Sequence, residues 1–415
     1  MSYKKLGEYI QQVNNRNRDL EVETLLGVSI TKKLIPSIAN TVGTDMSAYK
    51  IIERGQFAYG TITSRNGDKI SIALLDEFEK ALVSQIYIVF EVIDTSVLLP
   101  EYLMMWFSRP EFDRYARYHS HGSTRESFDW TDMCEVELPI PSIEKQREIV
   151  AQYEAVANKI KVNEAICEKL EATAQALYKH WFVDFEFPVS DTEALVSDTE
   201  ALEVSNMASS ASATRGYKSS GGAMVFNEEL EKEIPEGWEV KSLGEISTCL
   251  DFKRRPLSQE ERSEKPGIYP YYGAMSIVGY IDEYIYDGDY LLFSEDGANI
   301  IDENGYPAIQ YVWGKFWLNN HSHILEGKDF ISIQFLYNAL LKTNVSDLVT
   351  GAAQPKINQQ NMNSISILVG KECVHEEFNS NTIHNYRLAK NYKEQNQKLT
   401  QLQSLLLSRL ATLEG

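Results

Sequence analysis

Across residues 144–187 the apolar positions recur in alternating steps of four and three. Ile149, Tyr153, Val156, Ile160, Asn163, Cys167, Leu170, Ala174, Leu177 and Trp181 hold one heptad phase, with no Pro or Gly inside and charges on the other faces. That is the pattern of a coiled-coil seam, which needs a partner helix. The chain supplies one. At a constant offset of 229 residues the same ten positions become Phe378, Thr382, Asn385, Ala389, Tyr392, Asn396, Leu399, Gln403, Leu406 and Leu410, a more polar seam in the same phase. The register extends upstream, setting GSTRESFDWTDMCEVEL from Gly122 against GAAQPKINQQNMNSISI from Gly351, so that Phe128 meets Ile357, Met133 meets Met362 and Val136 meets Ile365. The pattern predicts a two-fold repeat of a globular α/β unit followed by one long helix, an α+β chain overall.

Ahead of the first helix, FAYGTITS at Phe57 and KISIALL at Lys69 read as strands joined through Arg65-Asn66-Gly67-Asp68, an Asn-Gly hairpin signal. ALVSQIYIVFEVI from Ala81 reads as one central strand. Pro100 and Pro110 start two short helices, and Pro139 and Pro141 keep the chain extended before the long one. In the second half, the stretch from Tyr269 to Leu318 is rich in Tyr, Ile and Trp, with turns expected at Asp287-Gly288, Asn304-Gly305 and Gly314-Lys315. FISIQFLYNALLK from Phe330 reads as an amphipathic helix. The expected domains are 1–141, the first helix at 142–187, a linker at 188–233, 234–370, and the second helix at 371–415.

The linker holds VSDTEAL twice in tandem, from Val189 and from Val196, and then a run of small residues. Such a composition cannot bury enough apolar surface to fold alone. The duplication is either slippage in a tolerant segment or a device that sets the reach between the halves.

With 43% apolar and 24% charged residues the composition is that of a soluble globular protein. Cys134, Cys167, Cys249 and Cys373 are scattered without ligand spacing, and neither an export signal nor an 18-residue apolar run is found, so a cytoplasmic location is expected. The net charge of −20 is spread as −5 over 1–141, −2 over 142–187, −6 over 188–234, −8 over 235–370 and +1 over 371–415. No region is a basic block, so nucleic-acid binding would need a local patch or a partner's charge.

Catalytic patterns are missing: no phosphate-binding GxxxxGK[ST], no GxGxxG after a strand, no HExxH or GxSxG, and no Asn-Pro-Pro-aromatic motif. The i, i+2 pairs His119/His121 and His321/His323 each share a strand face, but no third metal ligand is identifiable. A non-enzymatic chain without a metal site is expected.

LPIPSIEKQREIV at Leu138, running into a long helix, and ALYKHWFVDFEFP at Ala176 resemble the first conserved region of the specificity (S) subunits of type I restriction-modification enzymes. IPEGWEVKSLGEI at Ile234, the hairpins YPYYGA and GYIDEYIYDGDYLL, and GKFWLNNHSHIL at Gly314 resemble the second target-recognition domain of such subunits. The order of domain, helix, domain, helix spans the chain. VGKECVHEEFN at Val369 departs from the pattern, lacking the Pro-x-Pro and Gln-Arg that open the first helix.

The resemblance implies two target-recognition domains, each reading half of a bipartite double-stranded DNA site, and two helices paired as an antiparallel coiled coil. The helices set the spacing and dock two methyltransferase (M) subunits through Gln146, Arg147, Tyr178, Trp181 and Phe182, with two restriction (R) subunits optional. No cofactor belongs to this chain: S-adenosylmethionine would sit in the methyltransferase partner, ATP and Mg in the restriction partner. Seam residues Asn163, Asn385 and Asn396 either fix register or are tolerated in a partly wet seam.

For base reading, Gln354 suits adenine and Arg125 suits guanine, with Ser123, Thr124 and Lys356 on phosphates. These loops could equally be simple turns into the following strand. Lys253, Arg254 and Arg255 form the one three-residue basic run, suited to the DNA backbone or to solvent, and Asn319 and Asn320 are a further base-reading pair. The alternative reading is a coiled-coil scaffold whose two β-rich domains bind protein ligands.

Overall fold

A computed structural model describes residues 3–37, 44–64, 67, 69–122, 126–189, 215–274, 276–297, 299–351 and 354–412. The chain forms two compact units, Met1–Glu164 with Lys393–Gly415, and Ala165–Tyr392.

The first unit carries two four-stranded sheets. One runs in the order Ile10–Val13, Ile88–Val92, Phe57–Tyr59, Ile72–Leu74 and the other Leu34–Pro36, Leu25–Val28, Lys80–Val83, Lys50–Glu53. Phe57 pairs with Leu74 and Tyr59 with Ile72, as the hairpin pattern predicts, although Arg65, Asn66 and Asp68 of its turn lie outside the described residues. The expected single strand from Ala81 is instead two strands in different sheets. The Tyr87 N–H donates to Ser84 O, and Ile86 on that turn is 69% exposed, so the apolar run breaks where its side chain has no core to enter. Helices Pro100–Phe107 and Pro110–Tyr118 begin at their prolines, where the missing N–H costs nothing. Phe57, Phe90, Phe107 and Phe112 pack their rings at centroid distances of 4.7–6.2 Å over this core. Lys32 and Asp113 form a pair at 2.7 Å with side chains only 9% and 12% exposed, and the Ile70 N–H completes the carboxylate's partners. A pair this dry holds its turn against the second helix only because its polar atoms are satisfied.

The second unit is built on a six-stranded sheet in the order Ser247–Cys249, Ser322–Gly327, Tyr286–Ser294, Ile309–Leu318, Pro266–Tyr272, Ile277–Ile281. Asn304-Gly305 is a turn as expected, with Gly305 at φ 78°. Asp287-Gly288 and Gly314-Lys315 are not turns: they face each other inside the longest ladder, where Gly288 pairs with Gly314. Their φ angles of 150° and 77° kink two long strands at one level, which explains turn-like sequences in mid-strand. Helix Ile333–Leu340, capped by Ser332, packs on this sheet. Residues 224–235, placed mostly in the linker by the sequence reading, form a hairpin of Met224–Asn227 against Lys232–Pro235, with Tyr217, Met224 and Leu230 against the core. The tandem VSDTEAL falls, but for Val189, outside the described residues.

The 229-residue repeat is reproduced element by element. Short helices Trp130–Cys134 and Gln359–Asn363, the bridges His121 to Ser127 and Thr350 to Lys356, and the starts of the long helices Ile143–Tyr178 and Glu372–Arg409 all coincide under that offset. Phe128, Met133, Val136 and Leu138 are buried, as are Ile357, Met362, Ile365 and Ile367.

Every one of the twenty seam positions is buried or half-buried. In the first unit Val150 shares a core with Leu407 and Leu410, and Asn163 donates to Asn396 at 2.8 Å. In the second, the Cys167 thiol meets Ala389 O and Trp181 packs edge-on to Phe378. Rising numbers on one helix meet falling numbers on the other, so the helices pair antiparallel. A π-helical turn, Lys179–Val183, ends the first helix.

Candidate nucleic-acid interface

In the second unit, hydrogen bonds gather several loops at one end of the six-stranded sheet. The Gly297 N–H donates to Pro355 O, the Ile357 N–H to Glu295 O, the Glu295 N–H to His321 O, and the Ser322 hydroxyl to Gly273 O and Ala274 O. The Arg254 guanidinium donates to Ser322 O. Three groups of residues singled out separately in the sequence therefore converge: the basic run at 253–255, the asparagines at 319–320, and Gln354 with Lys356.

Within that cluster Lys253, Arg255, Asn320, Gln354 and Lys356 are exposed. Arg254 is not free to meet a phosphate. Its guanidinium lies 2.9 Å from Asp251 and 2.8 Å from Glu295, with 15% of the side chain exposed, and a buried guanidinium so paired serves the fold. Asn319 is likewise committed: it is 9% exposed and its Oδ1 accepts the His321 N–H. Gly351 opens the Gln354 loop at φ 87°, and a Cβ there would stand 2.4 Å from Gln354 O, so the turn requires glycine.

Beneath the loop, His323 sits with Nδ1 2.6 Å from Asp251 and Nε2 3.0 Å from Ile357 O. Burial pushes the Asp251 carboxyl up, but His323, Arg254 and the Ile324 N–H outweigh it and hold the group below the ordinary carboxylate range. Burial raises Glu295 too, and Arg254 and Lys356 bring it below that range. Cys249, Asp251 and His323 place three ligand-type atoms within 4.8 Å of one another. Burial and Asp251 push the Cys249 thiol up to about 12, and the Arg254 cation already neutralises Asp251. His323 and Asp251 are already engaged by hydrogen bonds and an ion pair, which metal binding would have to dismantle. The sequence noted His323 only as half of a pair; its partners lie 72 and 34 residues away, where no local signal points.

In the first unit Ser123, Thr124 and Arg125 lie outside the described residues. Their loop is framed by Gly122 at φ 130° and by the Thr63 N–H donating to Glu126 O, the counterpart of Gly297 on Pro355. Arg117 pairs with Glu126 at 3.0 Å and Tyr118 beside it is 83% exposed.

Of the docking residues, Arg147 is exposed, but Gln146 is fully buried: its amide accepts from the Leu99 N–H and donates to Val97 O and Pro141 O. Trp181 and Phe182 are 4% and 2% exposed, and half-buried Tyr178 stacks on Phe182. Packed against Phe378, Phe335 and Trp238, Trp181 and Phe182 are committed to the core of the second unit, because a side chain already enclosed has no surface left for another chain. Among the described residues no helix is long and apolar enough to cross a membrane.

The repeated domain with its paired loops is that of a known family: the chain belongs to the type I restriction modification DNA specificity domain family, matching it twice, at residues 40–172 and 235–369. It is a specificity subunit of the type I restriction-modification class, the non-catalytic member of such systems. Over 424 aligned residues it is 23% identical to the HindI specificity subunit of Haemophilus influenzae, covering 90% of this chain and 89% of that one. A second protein of that organism, provisionally assigned as a type I restriction enzyme specificity subunit, is 31% identical over 157 residues, 37% of this chain and 40% of its own length. The crystal structure of the type I restriction-modification system S subunit from M. genitalium shares the fold, with a TM-score of 0.55 at 14% identity over 100% of this chain and 96% of that one.

Proposed function

We propose that the second unit reads one half of a bipartite DNA site with the sheet end that presents Lys253, Arg255, Asn320, Gln354 and Lys356, and that the first reads the other half with the loop after Gly122. The observation that carries this is the convergence of amide and cationic side chains at one sheet end, on a loop the repeat duplicates in the first unit. Amides and guanidinium groups are what base edges and phosphates recognise. The long helices, 36 and 38 residues, are about 55 Å each at ~1.5 Å per residue and set an unread spacer between the half-sites.

Two methyltransferase subunits dock on the chain, with Arg147 the one earlier docking candidate on an open helix face. They bring S-adenosylmethionine; optional restriction subunits bring ATP and Mg. The complex acts in the cytoplasm. Coexpression with a candidate methyltransferase subunit from the same genome, followed by genome-wide mapping of methyladenine, is expected to return one split motif. An unsplit motif, or methylation that does not depend on this chain, would refute the reading.

A further inference from the structure

Ile357, which closes the Gln354 loop, is held at both backbone groups. Its N–H donates to Glu295 O at 2.9 Å and its carbonyl accepts from His323 Nε2 at 3.0 Å. The side chain of Glu295 holds the preceding residue as well, with Oε1 3.0 Å from Lys356 Nζ and Oε2 2.8 Å from Arg254. The His323 ring is thereby held from both nitrogens, by the Asp251 carboxylate on one side and the Ile357 carbonyl on the other. Facing it are Asp251 at 2.6 Å and Glu295 at 3.7 Å, with Arg254 on both carboxylates and the protonated Cys249 thiol alongside.

We propose that His323, buried, and Glu295, half-buried beneath the loop, are positioning residues for sequence discrimination: they fix the loop so that Gln354 and Lys356 meet the duplex in one pose. This rests on the reading of the second unit as a DNA reader. It follows from the cost of imprecise base contacts, since a bidentate amide pair discriminates only when its carrier is rigid. Among the described residues the first unit shows no such set beside its loop. There Phe128 N–H donates to Thr61 O, and the loop is flanked by a Thr63–Ser120 hydroxyl contact and the Arg117–Glu126 pair. The effect is proposed for the half-site that the second unit reads.

The test is the methylated motif, base by base, in cells expressing the methyltransferase with wild-type chain, Gln354→Ala, Glu295→Gln, His323→Phe or His323→Gln. Glu295→Gln and His323→Phe are expected to raise tolerance of wrong bases by on the order of tenfold at the positions that Gln354→Ala relaxes. The other half of the motif stays unchanged. His323→Gln, whose amide can still donate to Ile357 O, is expected to relax it less. If Gln354→Ala relaxes the motif but Glu295→Gln and His323→Phe do not, the positioning role fails while the DNA reading stands. Relaxation of both halves, or loss of all methylation in the three positioning variants alike, also overturns it, because either outcome describes a merely structural set. An unchanged motif in all four variants removes the loop from base reading and the positioning role with it.

Discussion

Gln146 and His375 occupy equivalent places at the starts of the two long helices, and they show how one residue changes a repeat. The amide of Gln146 makes three hydrogen bonds, one of them to Pro141 O. His375, 229 residues on, makes one, accepting the N–H of Gly370, the counterpart of Pro141, while its Nδ1 is buried without a partner. Burial among Phe182, Phe330 and Phe335 lowers this imidazole to about 4. The unfolded chain takes up a proton near pH 6.5 that the folded chain refuses until about 4. The stabilisation is therefore complete above pH 6.5 and declines, by on the order of 3 kcal/mol, as pH falls toward 4. Asp251 and Glu295 act in a lower window, since carboxylates held low stabilise the fold above their unfolded range and lose that contribution only below it. Urea unfolding followed from pH 7 to 4.5 is expected to show the first decline, and His375→Gln to flatten it. An equal slope in the variant would assign the pH dependence elsewhere.

On the scale of elements, the seam carries one buried amide pair. Asn163, fully buried, donates to Asn396, whose own amide lies 3.3 Å from Ile160 O. Of the two readings the sequence left open, the Asn163–Asn396 hydrogen bond favours register, because a slip would break it, although the buried Asn163 Oδ1 itself has no partner among the described residues. Asn163→Leu is expected to cost about 1–3 kcal/mol by stranding Asn396, and Asn163→Leu with Asn396→Leu to recover most of it. A double-mutant cycle by thermal unfolding measures the coupling, and independent effects would mean the pair specifies nothing. Long-period features such as this seam and the 229-residue repeat were legible because each rests on many residues agreeing. Local signals failed where tertiary context reversed them: two Gly dipeptides became partners in a ladder, and an apolar run was divided between sheets. The exposed loop residues were legible by residue type. The ionic set beneath them was not, because Asp251, Glu295 and His323 come from separate strands and loops that only the fold brings together.

For the whole molecule, a net charge of −20 coexists with exposed Lys253, Arg255 and Lys356 at one sheet end, so the acidity leaves room for the DNA contact proposed there. The other molecule-wide feature is that the division between units cuts through both long helices, at 164 and again at 392. The second unit is one continuous stretch, whereas the first takes its final twenty-odd residues from the far end of the chain. Leu407 and Leu410 belong to its core, and Ala411 O accepts the Tyr3 hydroxyl. During synthesis the second unit can therefore finish while the first, though begun earlier, waits for residues 393–412 to leave the ribosome, reversing the usual order in which domains mature. Ending the chain after Tyr392 is accordingly expected to leave residues 1–164 open to limited proteolysis while residues 165–392 stay resistant, and supplying 393–415 as a separate peptide to restore protection. If the shortened first unit resists protease unaided, its maturation does not await the chain end.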